Sequence, residues 1–112
     1  GHQAGDLVLA TVVERLTAAT RGHDVVIRMG GDEFLVILHD IGHDDALHLA
    51  ERIVGKVEEP IDFQGTKLSV SASVGVAMVP GGRTDTDDVL HRADLAMYEA
   101  KRSAAGVQLA SA

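Results

Sequence analysis

Two apolar runs, Val25-Val26-Ile27-Arg28-Met29 and Phe34-Leu35-Val36-Ile37-Leu38, stand on either side of Gly30-Gly31-Asp32-Glu33. Runs this short and rich in β-branched residues are strands, and four residues holding two glycines can only reverse the chain between them. Glycine is needed there because a tight reversal uses positive φ. The strands are apolar almost continuously rather than alternately, so helices must cover the sheet on at least one face. Whatever else the chain does, it folds around this hairpin.

The flanking segments supply the helices. Asp6 to Arg21 reads as a helix with Leu9, Val12, Val13 and Leu16 on one face, Asp6 at its N-cap and Gly22 closing it in a left-handed conformation. Asp44 to Glu58 reads as a second, with Asp44 as N-cap, a stripe of Ala46, Leu49, Ala50, Ile53 and Val57, and Pro60 beyond its end. Phe63 to Thr66 reads as a small turn. Leu68 to Val79 alternates strictly and reads as one long strand, with Leu68, Val70, Ala72, Val74 and Val76 on one side and Ser69, Ser71, Ser73 and Gly75 on the other. A third helix spans Thr86 to Ala104 with Leu90, Ala93, Met97 and Ala100 inward, Gly106 caps it, and Val107-Gln108-Leu109 forms a short edge strand. The order is α-β-β-α-β-α-β: an α+β domain with an antiparallel sheet and helices packed on it. Such layouts usually open with a strand. The chain therefore reads as a single partial domain over 1–112, lacking an opening, interior strand, with an unpaired edge that a second copy could fill.

Composition narrows the function. There is no cysteine, which removes disulfides, thiolate metal sites and cysteine nucleophiles. Seventeen acids against ten bases give a formal charge of −7, contrary to a protein that neutralises many nucleic-acid phosphates. Three aromatic residues, Phe34, Phe63 and Tyr98, are too few for a base-stacking platform. No apolar run approaches the roughly 20 residues that cross a bilayer, and Gly1 to Asp6 do not read as a signal peptide. The expectation is a globular, cytoplasmic chain without membrane or nucleic-acid contact, whose parent protein could still be anchored. An acidic protein that binds a nucleotide needs divalent cations to do so.

The hairpin is where such chemistry fits. Gly30 and Gly31 expose backbone N–H groups that phosphate oxygens can approach, and Asp32 and Glu33 are hard oxygen ligands suited to Mg²⁺. An ordinary hairpin with solvated acids satisfies the same residues. The flanking sequence tips the balance: Arg28-Met29-Gly30-Gly31-Asp32-Glu33-Phe34 closely resembles the signature of the GGDEF family, the diguanylate cyclase domain. Gly1-His2-Gln3-Ala4-Gly5-Asp6 resembles the family's GHxxGD segment, Ser71 to Ala77 its S-x-G strand, and Arg92 to Lys101 its last helix. Four motifs in the family's order cover nearly the whole chain.

The resemblance implies a palm-like fold of the nucleotide-cyclase and ferredoxin-like kind. It implies condensation of two GTP into cyclic di-GMP with release of pyrophosphate, by a homodimer in which each domain holds one GTP. Asp32 and Glu33 would be the catalytic acids and the ligands of Mg²⁺ or Mn²⁺. Gly30 and Gly31 would lie along the phosphates, Asp6 would accept from the guanine edge, and Lys101 would contact the terminal phosphates. Arg21-Gly22-His23-Asp24 fits RxxD, with five residues between Asp24 and Gly30, and resembles the family's inhibitory product site, with Arg52 as a supplementary arginine. Met97 and Tyr98 read as core. His39 to Asp45 invites a metal reading, but Asp44 as an N-cap explains it better.

Two departures qualify the resemblance. The family's opening segment, with a metal-binding aspartate, a Phe-Lys pair and a guanine-reading asparagine, does not appear, so the chain alone is expected to be inactive. The family often has an arginine four residues after the lysine, where this chain has Ala105; Arg102 lies about 100° round the helix from Lys101. This ending resembles that of copies of the domain that precede a cyclic di-GMP phosphodiesterase (EAL) domain. The second reading is thus a non-catalytic GTP- or cyclic di-GMP-binding module coupled to an EAL or sensor domain.

Overall fold

A computed structural model describes residues 2–70, 72–79, 86–102 and 108–111, with backbone alone for 2, 86, 101 and 108–111. The elements run α1 (His2–Ala19), β1 (Val25–Gly30), β2 (Glu33–His39), α2 (His43–Val57), β3 (Ile61–Phe63), β4 (Thr66–Leu68), β5 (Ser73–Val79), α3 (Thr86–Lys101) and β6 (Gln108–Ser111). The main sheet has the order β1-β2-β5-β6, and β3 pairs with β4 in a separate ribbon. How each strand is connected decides its direction. The tight turns give the antiparallel pairs β1–β2 and β3–β4. The helical crossovers give the parallel pairs β2–β5 and β5–β6, because parallel neighbours need a long return path. The domain is α+β as expected, with a mixed sheet.

The interior gap expected in the sheet is not there. β2 and β5 pair directly from Glu33↔Ser73 to His39↔Val79, and this seam is the centre of the sheet. The alternation along these strands then serves two cores at once. Phe34, Val36, Leu38, Val74 and Val76 face α1 and α2, meeting Val12, Leu16, Ile53 and Val57. Leu35, Ile37, Ala77 and Val79 face α3, meeting Ala93, Ala96 and Met97. Both faces are covered, which is why the two strands are apolar throughout.

Several boundaries differ from the sequence expectation. Helix α1 begins at His2, so Asp6 lies inside it and is not its cap; packing of Leu7 and Val8 against the core outweighs the poor helical propensity of Gly5. Gly22 does not take positive φ. The chain leaves α1 instead through a turn in which the Asp24 N–H donates to the Arg21 carbonyl. The N-cap of α2 is Gly42, and Asp44 and Asp45 occupy its first turn, where their charge favours the helix dipole. The long strand expected over Leu68–Val79 is two: β4 turns back on β3 through Gln64 and Gly65, both at positive φ, and β5 starts at Ser73. On α3, Ala93, Met97 and Ala100 are buried as expected and Ala96 joins them, while Leu90 is 57% exposed. Tyr98 is also exposed, with the Arg102 guanidinium over its ring at 5.5 Å. The Gly106 cap falls outside the described residues.

Candidate functional site

The β1–β2 turn takes its shape from its glycines. Gly30 has φ 151° and Gly31 φ 50°, values that side chains resist, and no atom lies within 4 Å of a Cβ built on either. The register slips between Arg28 and Gly30, a bulge that opens the turn. Arg28 braces it by donating from Nε to the Gly31 carbonyl at 3.1 Å. A second anchor comes from across the sheet: the Ser73 N–H donates to the Asp32 carbonyl at 2.9 Å. The backbone under the first carboxylate is thereby tied to the start of the central strand β5. Asp32 is exposed and Glu33 half-buried.

Helix α3 brings a third element to this end of the sheet. Arg92 Nη1 donates to the Met78 carbonyl, and Gly75 lies against Ala96 and Met97. The helix therefore runs antiparallel to β5, and its last residue, Lys101, is at the Ser73 end beside the glycine turn; the Lys101 side chain lies outside the described residues. Arg102 lies on the helix face opposite Ala93, Ala96 and Ala100, with its guanidinium over the Tyr98 ring. Ala105 itself is outside the described residues. Helix α1 doubles back on β1, so exposed Asp6 belongs to the half of α1 remote from the His39 end of the sheet.

Two adjacent carboxylates with water access suit Mg²⁺, which takes one or two carboxylates and completes its octahedron with water and substrate phosphates. Among the described residues no group of three His, Asp or Glu gathers to hold an ion, either here or along His39 to Asp45. Asp32 and Glu33 supply two oxygen donors of the kind such an ion takes.

Arg21 and Asp24 are at the other end, a strand length away. Arg21 donates from Nε to Oδ2 and from Nη2 to Oδ1 of Asp24, at 3.0 and 2.9 Å. Asp24 also accepts from the Arg21 and His39 N–H groups, and Arg21 Nη2 reaches the His39 carbonyl. Burial opposes the charge on Asp24, but the bonds from Arg21 and His39 outweigh it and hold the carboxyl below its ordinary range. The Arg21 guanidinium is raised in turn, chiefly by its bond to Asp24. The pair pins the end of α1 to the end of β2. Arg21 and Arg52 line a common cavity of ≈ 460 Å³ between α1 and α2. Asp24 is absent from its lining, being fully buried in the pair.

Sequence reasoning overlooked Arg15, whose Nη1 and Nη2 donate to the Val57, Glu59 and Pro60 carbonyls at the end of α2. A helix C-terminus offers unpaired carbonyls, but no local signal says which distant arginine will find them.

Comparison with known proteins agrees with this geometry. Residues 1–106 match the family described as diguanylate cyclase, GGDEF domain. The chain is 41% identical over 108 residues to the diguanylate cyclase TpbB of Pseudomonas aeruginosa, covering 95% of this chain and 25% of that one. It is 39% identical over 101 residues to the bifunctional diguanylate cyclase/cyclic di-GMP phosphodiesterase MucR of the same species, covering 90% and 15%. A solved structure of the GGDEF domain of TpbB superposes with a TM-score of 0.73 at 37% identity, over 97% of this chain and 64% of that one. The chain thus spans a quarter or less of the length of these two curated relatives.

Proposed function

The chain belongs to the GGDEF family of diguanylate cyclase domains, and from that membership we propose that it serves, within a longer cytoplasmic-side signalling protein, to condense two GTP into cyclic di-GMP. The observation that carries this reading is the Gly30–Gly31 turn at positive φ, with Asp32 and Glu33 beside it and the Lys101 end of α3 alongside. The exposed glycine N–H groups bind the phosphates, Lys101 takes the terminal ones as a point charge, and Asp6 accepts from the guanine edge. A divalent ion, Mg²⁺ or Mn²⁺, when held by Asp32 and Glu33, neutralises charge on the attacking and leaving oxygens.

Each domain of a homodimer presents one GTP. The 3′-hydroxyl of each nucleotide attacks the α-phosphorus of the other, forming the P–O bond as the α–β phosphoanhydride breaks. Pyrophosphate leaves, and the hydroxyl proton passes to Glu33 or solvent. Two such transfers close the ring. Arg21, Asp24 and Arg52 form a second face for the product. On this reading the 112 residues alone are inactive, since Asp32 and Glu33 supply only part of the metal site that the reaction uses.

The alternative is a module that binds GTP or cyclic di-GMP without chemistry and acts on a neighbouring EAL or sensor domain. Ala105 and the outward Arg102 favour it, because a phosphate contact is lost. A product assay on the full-length natural protein with GTP and Mg²⁺ separates the two. Cyclic di-GMP that disappears in Asp32→Ala supports the cyclase. GTP binding without product, in the wild type and the variant alike, overturns it in favour of the module.

A further inference from the structure

Four exposed apolar side chains gather on one face of the sheet. Val25 and Ile27 stand opposite Ile37 and Leu35 in the β1–β2 pairing, and Met29 continues their alternation, so all three share the face that α3 covers. They are nonetheless 40%, 37% and 52% exposed, while Leu35 and Ile37 are buried. The helix stops short of β1. Two hydrogen bonds fix which of its flanks borders the gap. The Val79 carbonyl accepts from the Asp40 N–H on the β2 side of β5, and carbonyls alternate along a strand, so the Met78 carbonyl, which accepts from Arg92, opens on the β6 side. Arg92 marks the β6 flank of α3; Asp87, Leu90 and Asp94, about 140–160° round the helix from it, form the flank toward β1. Leu90 is the fourth exposed apolar residue. Asp87 and Asp94 are exposed, and among the described residues neither makes an ion pair. Arg28 projects to the opposite face, with Phe34, and is tied to Gly31. Glu33 and Lys101 stand at the glycine-turn end of this recess, and Asp87 and Asp94 border the rest.

We propose that this recess docks one helix of a partner protein, apolar on the face it lays on β1 and basic along the edge that meets α3. Spacing selects a helix. α3 crosses β5 at Gly75, and β1 lies two strands away, about 9.6 Å at the usual strand separation. Packed helices stand about 8–10 Å apart, so a helix centred on β1 meets α3 side by side. Val25 to Met29 spans about 14 Å, the length of about nine helical residues. Charge selects the partner: lysine or arginine on the docked helix would complete Asp87 and Asp94. A second copy is disfavoured. A two-fold axis along the strands lays α3 in the recess of its neighbour, but it brings Asp87 and Asp94 against their own copies in a chain of net charge −7.

The test uses two synthetic peptides of roughly 15 residues, long enough to hold a helix. Both carry leucines on one face; lysines flank them in one peptide and glutamates in the other. Fluorescence anisotropy follows their binding to the 112-residue chain. The lysine peptide should bind saturably, and the glutamate peptide about tenfold more weakly. Ile27→Asp should abolish binding, and Ile27→Thr, which keeps a β-branched residue in the strand, should weaken it about fivefold. Leu95→Gln, at an apolar residue exposed on the far side of α3, should leave it unchanged. Asp87→Lys combined with Asp94→Lys, both on the helix surface, should reverse the preference between the peptides. Equal binding of the two peptides overturns the basic partner, and binding that survives both Ile27 variants overturns the recess. Absence of binding to wild type overturns the proposal outright. Sedimentation supplies the last arm: a dimer that Ile27→Thr dissociates and the lysine peptide fails to displace makes the occupant a second copy and overturns the docked helix.

Discussion

Asp24 accepts four hydrogen bonds, three of them from the backbone and side chain of Arg21, while its side chain is fully buried. Because its carboxyl is held below the ordinary value of about 3.9, it binds fewer protons in the folded chain than in the unfolded one. The stability it contributes is therefore complete above that ordinary value and is lost as pH falls through the lower folded one. Asp24→Asn should cost about 1–3 kcal/mol near neutral pH. The gap from wild type in urea unfolding should narrow below about pH 4. An unchanged gap at pH 3 would show that the pair contributes through packing and not through charge. The same residue shows what a short motif can convey. The spacing of Arg21 and Asp24 was legible, but that they would spend their donors and acceptors on each other and on His39 depends on where β2 ends, which no local pattern encodes.

At the scale of elements, the contact that sets the depth of α3 is Gly75. A Cβ there would lie 3.0 Å from the Ala96 carbonyl carbon and oxygen and from the Met97 sulfur. Two of those atoms are backbone and cannot step aside without moving the helix. Gly75→Ala should destabilise the chain by about 1–3 kcal/mol in urea denaturation; a variant as stable as wild type would mean that α3 rides loosely on β5. The hairpin was fully legible, since apolar runs and glycines are local signals that tertiary structure reinforces. The split of Leu68–Val79 was not. Val70 and Ala72 stay buried through the break, so the alternation persists while the hydrogen-bond partners change from β3 to β2. Likewise Leu90 fits the helical period yet faces water, because α3 centres its inward face on Ala93, Ala96 and Ala100.

For the whole molecule, the order β1-β2-β5-β6 puts the two strands that carry both cores in the middle and leaves an edge at each side. No described helix is long and apolar enough to cross a membrane. Amide hydrogens of β2 and β5 should exchange only through global unfolding, and those of β6 and the outer edge of β1 many times faster. Exchange of β5 at the rate of β6 would show that the central seam opens by itself. The seam also has a kinetic meaning. Its first pair, Glu33 with Ser73, joins residues about forty apart in the chain, whereas the hairpin beside it closes within a few residues. The loop entropy of that closure must be met before any of the seven pairs is gained. The glycine turn with its two acids forms early and repeatedly, and becomes a fixed platform only in the slow step that brings Ser73 under Asp32.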